Sequence, residues 1–100
     1  MADDVVRRQL CVPNPQGIHA RPAARLVELA NGFQSRIEFV KGTERVDAKS
    51  IFQIMTLAAV QGTVLLLEAR GPDAQAAADA IEKMIQELAE TDAEASTSEP

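Results

Sequence analysis

The chain has 100 residues, of which 46% are hydrophobic and 25% charged, with three Phe and no Trp or Tyr. This length suffices for one domain with an aliphatic core and is too short for two. No apolar run approaches the ~20 residues of a membrane span, no secretory signal is visible, and the single Cys11 excludes an internal disulfide, so we expect a cytoplasmic protein.

The net charge of −5 is unevenly distributed along the chain. Residues 1–70 contain nine Lys/Arg and seven Asp/Glu, a balance of +2, whereas residues 71–100 contain one and eight, a balance of −7. The chain has no basic stripe and few aromatic residues on which bases could stack, so nucleic acid is not an expected partner. The mildly basic first part is suited to an acidic surface or an anion.

Hydrophobic periodicity predicts seven elements in the order β-α-β-β-α-β-α. Strands are predicted where apolar side chains alternate, at 7–12, 36–40, 44–48 and 63–69. Helices are predicted where apolar side chains recur every three or four residues, at 22–31, about 50–59 and 73–90. Asp73 is the expected N-cap of the last helix, since its short carboxylate can accept from the first turn.

One sheet and three helices account for all the apolar stripes in this pattern. A four-stranded antiparallel sheet with three helices on one face would bury them, which predicts an α+β open-faced sandwich. Val64 and Leu66 would then lie on the uncovered face of the sheet. The polar, acidic residues 91–100 are predicted to be a disordered tail that follows a domain of residues 1–90.

The only histidine lies in the stretch GIHARPAA, residues 17–24. Pro22 suits the first turn of a helix, so His19 is expected at the N-cap, where the backbone N–H groups of Ala20 and Arg21 have no intrahelical partner. The positive end of the helix favours a neutral, nucleophilic imidazole. A phosphoryl group on that ring would meet two N–H donors and the bidentate fork of Arg21. This pattern points to phosphoryl chemistry.

Less specific interpretations of His19 remain open at this point. A lone histidine near a turn is often a structural residue at the end of a helix. A metal site is less suited, because the chain has no second histidine and its one cysteine lies across a proline-rich loop. A hydrolase is also less suited, because no acidic residue is placed by sequence to orient the imidazole.

A second motif, KSIFQIM, lies at residues 49–55. Ser50 and Gln53 have the spacing of a capping box at the start of an apolar helical run. Ser50 is therefore either a helix cap or a phosphorylation site, since a phosphate at this position would be stabilised by the helix terminus. Ile51, Phe52 and Met55 form an apolar patch that a partner could cover.

GIHARPAA, followed about 30 residues later by DAKSIFQIMTLAAVQG, resembles the HPr family, the histidine-containing phosphocarriers of the phosphoenolpyruvate:sugar phosphotransferase system. The resemblance covers about residues 7–90 and departs from many members at Gln16, where they have Asn or Ser. It implies the HPr-like open-faced sandwich. It also implies a stoichiometric carrier on which other enzymes act and which has no turnover of its own. No dimer seam is visible in the sequence, so a monomer is expected, and neither a cofactor nor a metal is expected.

The resemblance also implies roles for individual residues. His19 would take a phosphoryl group on Nδ1 from Enzyme I and pass it to IIA domains of sugar permeases, with Arg21 and the backbone N–H of Ala20 stabilising the phosphate. Ser50 would be the serine that HPr kinase/phosphorylase modifies in many bacteria. The residues expected to dock partners are Arg25, Lys49, Ile51, Phe52 and Met55.

Two other functions stay open within this resemblance. The nitrogen-branch relatives use the same histidine in a regulatory phosphorelay. A regulatory binding module would act through phosphorylated Ser50 and a transcription factor, and relatives of that kind lack the active-site histidine.

Overall fold

The computed structural model describes residues 5–98, and for residues 91–98 it describes the backbone alone. The strands are β1 (Val5–Cys11), β2 (Arg36–Lys41), β3 (Glu44–Asp47) and β4 (Val64–Arg70). The helices are α1 (Ala20–Asn31), α2 (Ile51–Thr56) and α3 (Ala74–Ser98). The predicted order and the predicted α+β open-faced sandwich are both confirmed.

The four strands form one antiparallel sheet in the order β1-β4-β2-β3. The inward-facing side chains Ile37 and Phe39 of β2 and Leu65 and Leu67 of β4 are fully buried. They lie beneath the apolar stripes of the helices, whose buried members include Ala23, Leu26, Ala30, Ile54, Ala77, Ile81 and Ile85. Because alanines predominate on the buried faces of α1 and α3, these two helices pack closely on each other, and α3 packs closely on the sheet.

The other face of the sheet has no helix over it within residues 5–98, as its predicted pattern required. Val64 is half exposed and Leu66 partly buried on this face. Its charged residues pair across the strands: Arg45 contacts Glu68 at 2.6 Å and Glu38 at 2.9 Å, and Arg7 contacts Glu68 at 3.1 Å. The hydrogen bond from Arg45 is the main reason that the pKa of Glu68 lies below its ordinary value.

Arg8 interrupts the apolar alternation of β1 and lies on the face that carries the helices. Its guanidinium reaches α3, where it contacts Asp79 at 2.9 Å and Glu82 at 2.7 Å. A charge can lie at the edge of this core because two carboxylates are placed to accept from it.

The C-terminal ends of two helices differ from the prediction. α2 ends at Thr56 instead of about residue 59, because Ala58 adopts a left-handed backbone (φ 48°) that cannot continue the helix. α3 continues to Ser98, so its backbone includes most of the segment predicted to be a disordered tail. Residues 91–98 contain neither Gly nor Pro, so nothing in their composition forces the helix to stop at 90. Residues 99–100 lie outside the described range.

Asp73 precedes α3, as predicted, but its carboxylate is turned away from that helix. It accepts from the backbone N–H groups of Gln34 at 2.9 Å and Ser35 at 2.8 Å, and from the Ser35 hydroxyl. These hydrogen bonds, first of all that from the hydroxyl, hold the pKa of Asp73 below its ordinary value. Asp73 therefore fastens the start of α3 to the connection between α1 and β2.

Candidate functional site

His19 occupies the N-cap of α1, as the position of Pro22 predicted. Its backbone is extended (φ −82°, ψ −173°), and its imidazole makes no capping hydrogen bond to the helix. Capping therefore does not account for a histidine at this position. The His19 carbonyl accepts from the N–H of Ala23 at 3.0 Å, which closes the first turn. The side chain is half-buried.

The first turn of α1 offers two backbone donors beside the imidazole. Ala20 and Arg21 have no carbonyl one turn earlier within the helix, and Pro22 has no N–H at all. The turn contains no acidic residue that would neutralise the positive end of the helix. The guanidinium of Arg21 is exposed. An anion bonded to the imidazole would thus lie at the positive end of a helix, near the exposed cation of Arg21.

We call residues 12–19, which lead from β1 to α1, the His19 loop. Its start is paired with the connection between α2 and β4: Val12 N–H donates to the Thr63 carbonyl at 2.9 Å, and Gly62 N–H donates to the Val12 carbonyl at 2.8 Å. Its end is held by the same connection, because Ile18 N–H donates to the Ala59 carbonyl at 2.8 Å. Both ends of the His19 loop are therefore fixed to the connection between α2 and β4.

Gly17 allows the His19 loop to approach this connection. It has a positive φ of 68°, and a Cβ built on it would lie 2.4 Å from the Ala59 carbonyl oxygen and 2.9 Å from Val60 Cα. No other residue fits there without displacing backbone. The positive φ and the close approach are two separate reasons for a glycine at this position.

Ser50 is the N-cap of α2, and its hydroxyl oxygen accepts from the N–H of Gln53 at 3.3 Å. The predicted capping box is only half formed. Ser50 N–H already donates to the Asp47 carbonyl, at 3.1 Å, so the amide oxygen of Gln53 accepts instead from Asp47 N–H, at 2.9 Å. Ser50 is half-buried, so a modifying enzyme would have access to only part of its side chain.

The structure does not place Ser50 beside His19. Lys49 lies near the C-terminal end of α1, where its ammonium donates to the Phe33 carbonyl at 2.8 Å and its own carbonyl accepts from Asn31 Nδ2 at 3.4 Å. His19 precedes the opposite end of α1. α1 has 12 residues, so its two ends are about 18 Å apart. The two predicted modification sites therefore lie near opposite ends of α1.

The residues predicted to dock partners fall into two groups. Phe52 is 83% exposed and Met55 42% exposed, so both present apolar surface on α2, which begins directly after Ser50. Ile51 is partly buried against the core, and Lys49 is partly buried by its contact with Phe33. Only the first pair forms an exposed apolar patch.

Arg25 is exposed on a different side of α1. It lines an open groove of about 630 Å³ between α1 and α3, together with Leu29, Phe33, Lys83 and Met84. No residue of α2 lines this groove. The structure therefore does not bring Arg25 together with Phe52 and Met55.

Among the described residues, no helix has the length and hydropathy of a membrane span. Within the same part of the chain, His, Cys, Asp and Glu form no cluster of three or more that could hold a metal ion.

Comparison with known proteins identifies the family. The family model described as "PTS HPr component phosphorylation site" matches residues 6–87. The phosphocarrier protein HPr of Treponema pallidum (strain Nichols) is 46% identical over 82 residues, which are 82% of this chain and 93% of that protein. The chain belongs to the HPr family. The chain is thus an HPr-type phosphocarrier of the phosphotransferase system.

Solved HPr structures share its architecture. HPr-C-His from Thermoanaerobacter tengcongensis superposes with a TM-score of 0.80 at 38% identity, covering 83% of this chain and 93% of that one. Crh of Bacillus subtilis, described as a catabolite repression protein that forms a domain-swapped dimer, gives a TM-score of 0.68, also at 38% identity. That match covers 83% of this chain and 95% of Crh.

One residue of the His19 loop, Asn14, has a role that its local sequence does not indicate. Asn14 is fully buried, and its amide donates to the Gly17 carbonyl at 2.8 Å. A polar residue between two prolines is typical of an exposed turn, and a single sequence gives no sign of its burial. By contrast, Gln16 is exposed.

Proposed function

We propose that His19 is the phosphoryl-accepting residue of this HPr-family chain. In this account the Nδ1 lone pair of the neutral imidazole bonds to phosphorus as the bond between phosphorus and Enzyme I breaks. The phosphoryl group then leaves for a IIA domain of a sugar permease, and His19 returns to its neutral form. The chain is consumed and regenerated stoichiometrically in the cytoplasm and has no turnover of its own.

The observation that carries this proposal is the position of His19 at the N-cap of α1 without a capping hydrogen bond. Transfer of the phosphoryl group to the ring adds negative charge at the positive end of a helix. The N–H groups of Ala20 and Arg21 and the Arg21 guanidinium are the donors placed to stabilise it. Because Arg21 is exposed, it can release the phosphate to an acceptor as readily as it binds it.

Phe52 and Met55 are the proposed contact with partner proteins. Large exposed apolar side chains of this kind are the usual anchors of an interface. Both lie on α2, whose C-terminal connection holds the His19 loop through Ala59 and Ile18. A partner seated on them would reach the imidazole. Arg21 and Arg25 would add attraction to an acidic partner surface.

Ser50 is the proposed regulatory site, modified by an HPr kinase/phosphorylase. A phosphate there would place about two negative charges beside Phe52 and alter docking without contact with His19. The similarity to Crh favours a second function, in which phosphorylated Ser50 recruits a regulatory partner. A phosphorelay of the nitrogen branch uses the same chemistry at His19 with different partners. His19 makes the carrier function the first to test.

The experiment that tests the proposal combines the chain with phosphoenolpyruvate and Enzyme I. We expect the wild type to gain one phosphoryl group by intact mass, lost in acid and retained in base. His19→Ala should gain none while its circular dichroism spectrum stays that of wild type. Equal phosphorylation of the two proteins would contradict the proposal.

A further inference from the structure

Asn14 is one of two polar residues that are fully buried in the described part of the chain, Ser35 being the other. An amide in a protein interior is tolerated when its polar atoms are hydrogen-bonded. The Ser35 hydroxyl donates to the Asp73 carboxylate at the start of α3. Asn14 lies five residues before His19, in a loop where an apolar side chain would fill the same space.

The contacts of Asn14 close a turn within the His19 loop. Its Nδ2 donates to the Gly17 carbonyl at 2.8 Å, and its own carbonyl accepts from the Gly17 N–H at 3.0 Å. The side chain and the backbone of one residue therefore both hold Gly17. This turn brings the chain into the left-handed conformation at Gly17, from which it enters α1.

The Gly17 carbonyl and the Ile18 N–H belong to the same peptide group, which is planar and rigid. Asn14 holds the carbonyl of this group at 2.8 Å, and the Ala59 carbonyl holds its N–H, also at 2.8 Å. Both polar ends of one peptide plane are thus fixed by groups from different parts of the chain. His19 follows directly after Ile18, so this plane sets the direction in which the chain reaches the N-cap.

We propose that Asn14 is a positioning residue for phosphoryl transfer, acting through the Gly17–Ile18 peptide to hold the His19 imidazole in its transfer geometry. This inference rests on the proposed function of His19. Misplacement of a reacting group by about 1 Å can slow a reaction about a hundredfold. Loss of the Asn14 amide frees the Gly17 carbonyl and lets the peptide plane rotate, while the exposed docking residues on α2 are unchanged.

The test replaces Asn14 by Leu, which has a similar shape and no donor, and by Ala, which removes the side chain. Val46→Ala is the control, because it opens a cavity at the buried side chain of β3, which lies at the opposite edge of the sheet from β1. The rate at which Enzyme I phosphorylates each folded variant is measured at increasing concentrations of that variant. We expect kcat to fall about ten- to a hundredfold for both Asn14 variants with KM within about twofold of wild type, and Val46→Ala to match wild type.

Amide hydrogen exchange gives a second measurement that needs no phosphoryl donor. In the Asn14 variants, the Ile18 amide should lose protection while the amides of β4 keep theirs. An unchanged kcat, a uniform loss of protection, or failure of both variants to fold would each overturn the inference, because Asn14 would then have no separate positioning role. If wild type accepts no phosphoryl group, the proposed function fails, and the exchange of Ile18 still decides whether Asn14 holds the peptide.

Discussion

The N–H of Ile18 donates to the carbonyl of Ala59 at 2.8 Å, so the residue before His19 is held by the connection that follows α2. Ala59 comes directly after Ala58, whose φ of 48° is the one positive value at a non-glycine residue in the described chain. The segment Ala58–Ala59, which is strained at Ala58, therefore links the docking residues on α2 to the backbone next to His19. Changes in that segment should affect both the stability and the geometry of the site.

Ala58→Gly should stabilise the protein. An alanine in the left-handed region costs the folded state about 1–2 kcal/mol, and glycine avoids this cost. Because glycine also makes the unfolded chain more flexible, about half of the gain is lost, and the free energy of unfolding should rise by about 0.5–1 kcal/mol. Ala24→Gly is the matched control, since it makes the same change on an exposed site of α1 and should lower stability by about 1 kcal/mol. Urea denaturation of both variants checks this. A loss of stability in Ala58→Gly would contradict the proposed strain.

Asp73→Asn should destabilise the protein at neutral pH, and the difference should vanish in acid. Hydrogen bonds from Ser35 and Gln34 lower the pKa of Asp73 in the folded state, so folding favours its charged form. That contribution is complete above the unfolded pKa of about 4 and is lost as the pH falls through the lower folded value. Thermal unfolding between neutral pH and about pH 3 measures it. Glu44→Gln, an exposed change on β3, should not reproduce the trend; a difference for Asp73→Asn that is constant with pH would contradict the account.

Ser50→Asp and Ser50→Asn separate capping from charge. Both side chains cap a helix about as well as serine, so both variants should keep the wild-type free energy of unfolding within about 0.5 kcal/mol, whereas Ser50→Ala should lose about 1 kcal/mol. Only the aspartate adds negative charge beside Phe52. We expect Ser50→Asp to reduce phosphorylation by Enzyme I about tenfold relative to Ser50→Asn, equivalent to ~1.4 kcal/mol of docking energy. Equal rates for the two variants would count against Ser50 as a regulatory switch.

Phe52→Ala should weaken transfer without weakening the fold. The ring is 83% exposed, so its removal should change the free energy of unfolding by less than about 0.5 kcal/mol. If the ring anchors partners, the KM of Enzyme I for the chain should rise about tenfold, as for an interface residue worth 1–2 kcal/mol. Val5→Ala is the control, because Val5 lies on the sheet at the end of β1 away from the His19 loop. A KM as low as that of this control would exclude Phe52 from the docking surface.

Local pattern predicted most of the fold and the position of His19. The apolar periodicities of α1, β2 and β4 correspond to single faces that are buried, and Pro22 has only one favourable place, at the start of a helix. Arg8 was unexplained in the pattern of β1, because its partners Asp79 and Glu82 lie more than 70 residues away along the chain. A single sequence contains no signal for such a pairing.

The same limit explains what the sequence did not predict at the site. The local sequence of Asp73 is typical of a helix N-cap. Only the fold brings Ser35 close enough for its N–H to donate to the Asp73 carboxylate. Asn14 has the sequence of an exposed turn, and its burial depends on how the His19 loop packs under the connection after α2. For Asp73 and Asn14, the local sequence indicates a turn or a cap. The hydrogen-bond partners of the two side chains depend on how the chain folds around them.

The measurement that tests the central claim most directly is NMR of the isotopically labelled chain after phosphorylation by Enzyme I and phosphoenolpyruvate. We predict a phosphorus–nitrogen coupling at Nδ1 of His19, with the largest amide shifts at Ala20 and Arg21 and little change at Ser50 and Gln53. A phosphoryl group on any other side chain, or on His19 without a response from the two amides of the first turn, would contradict the claim that this helix N-terminus is the phosphoryl site.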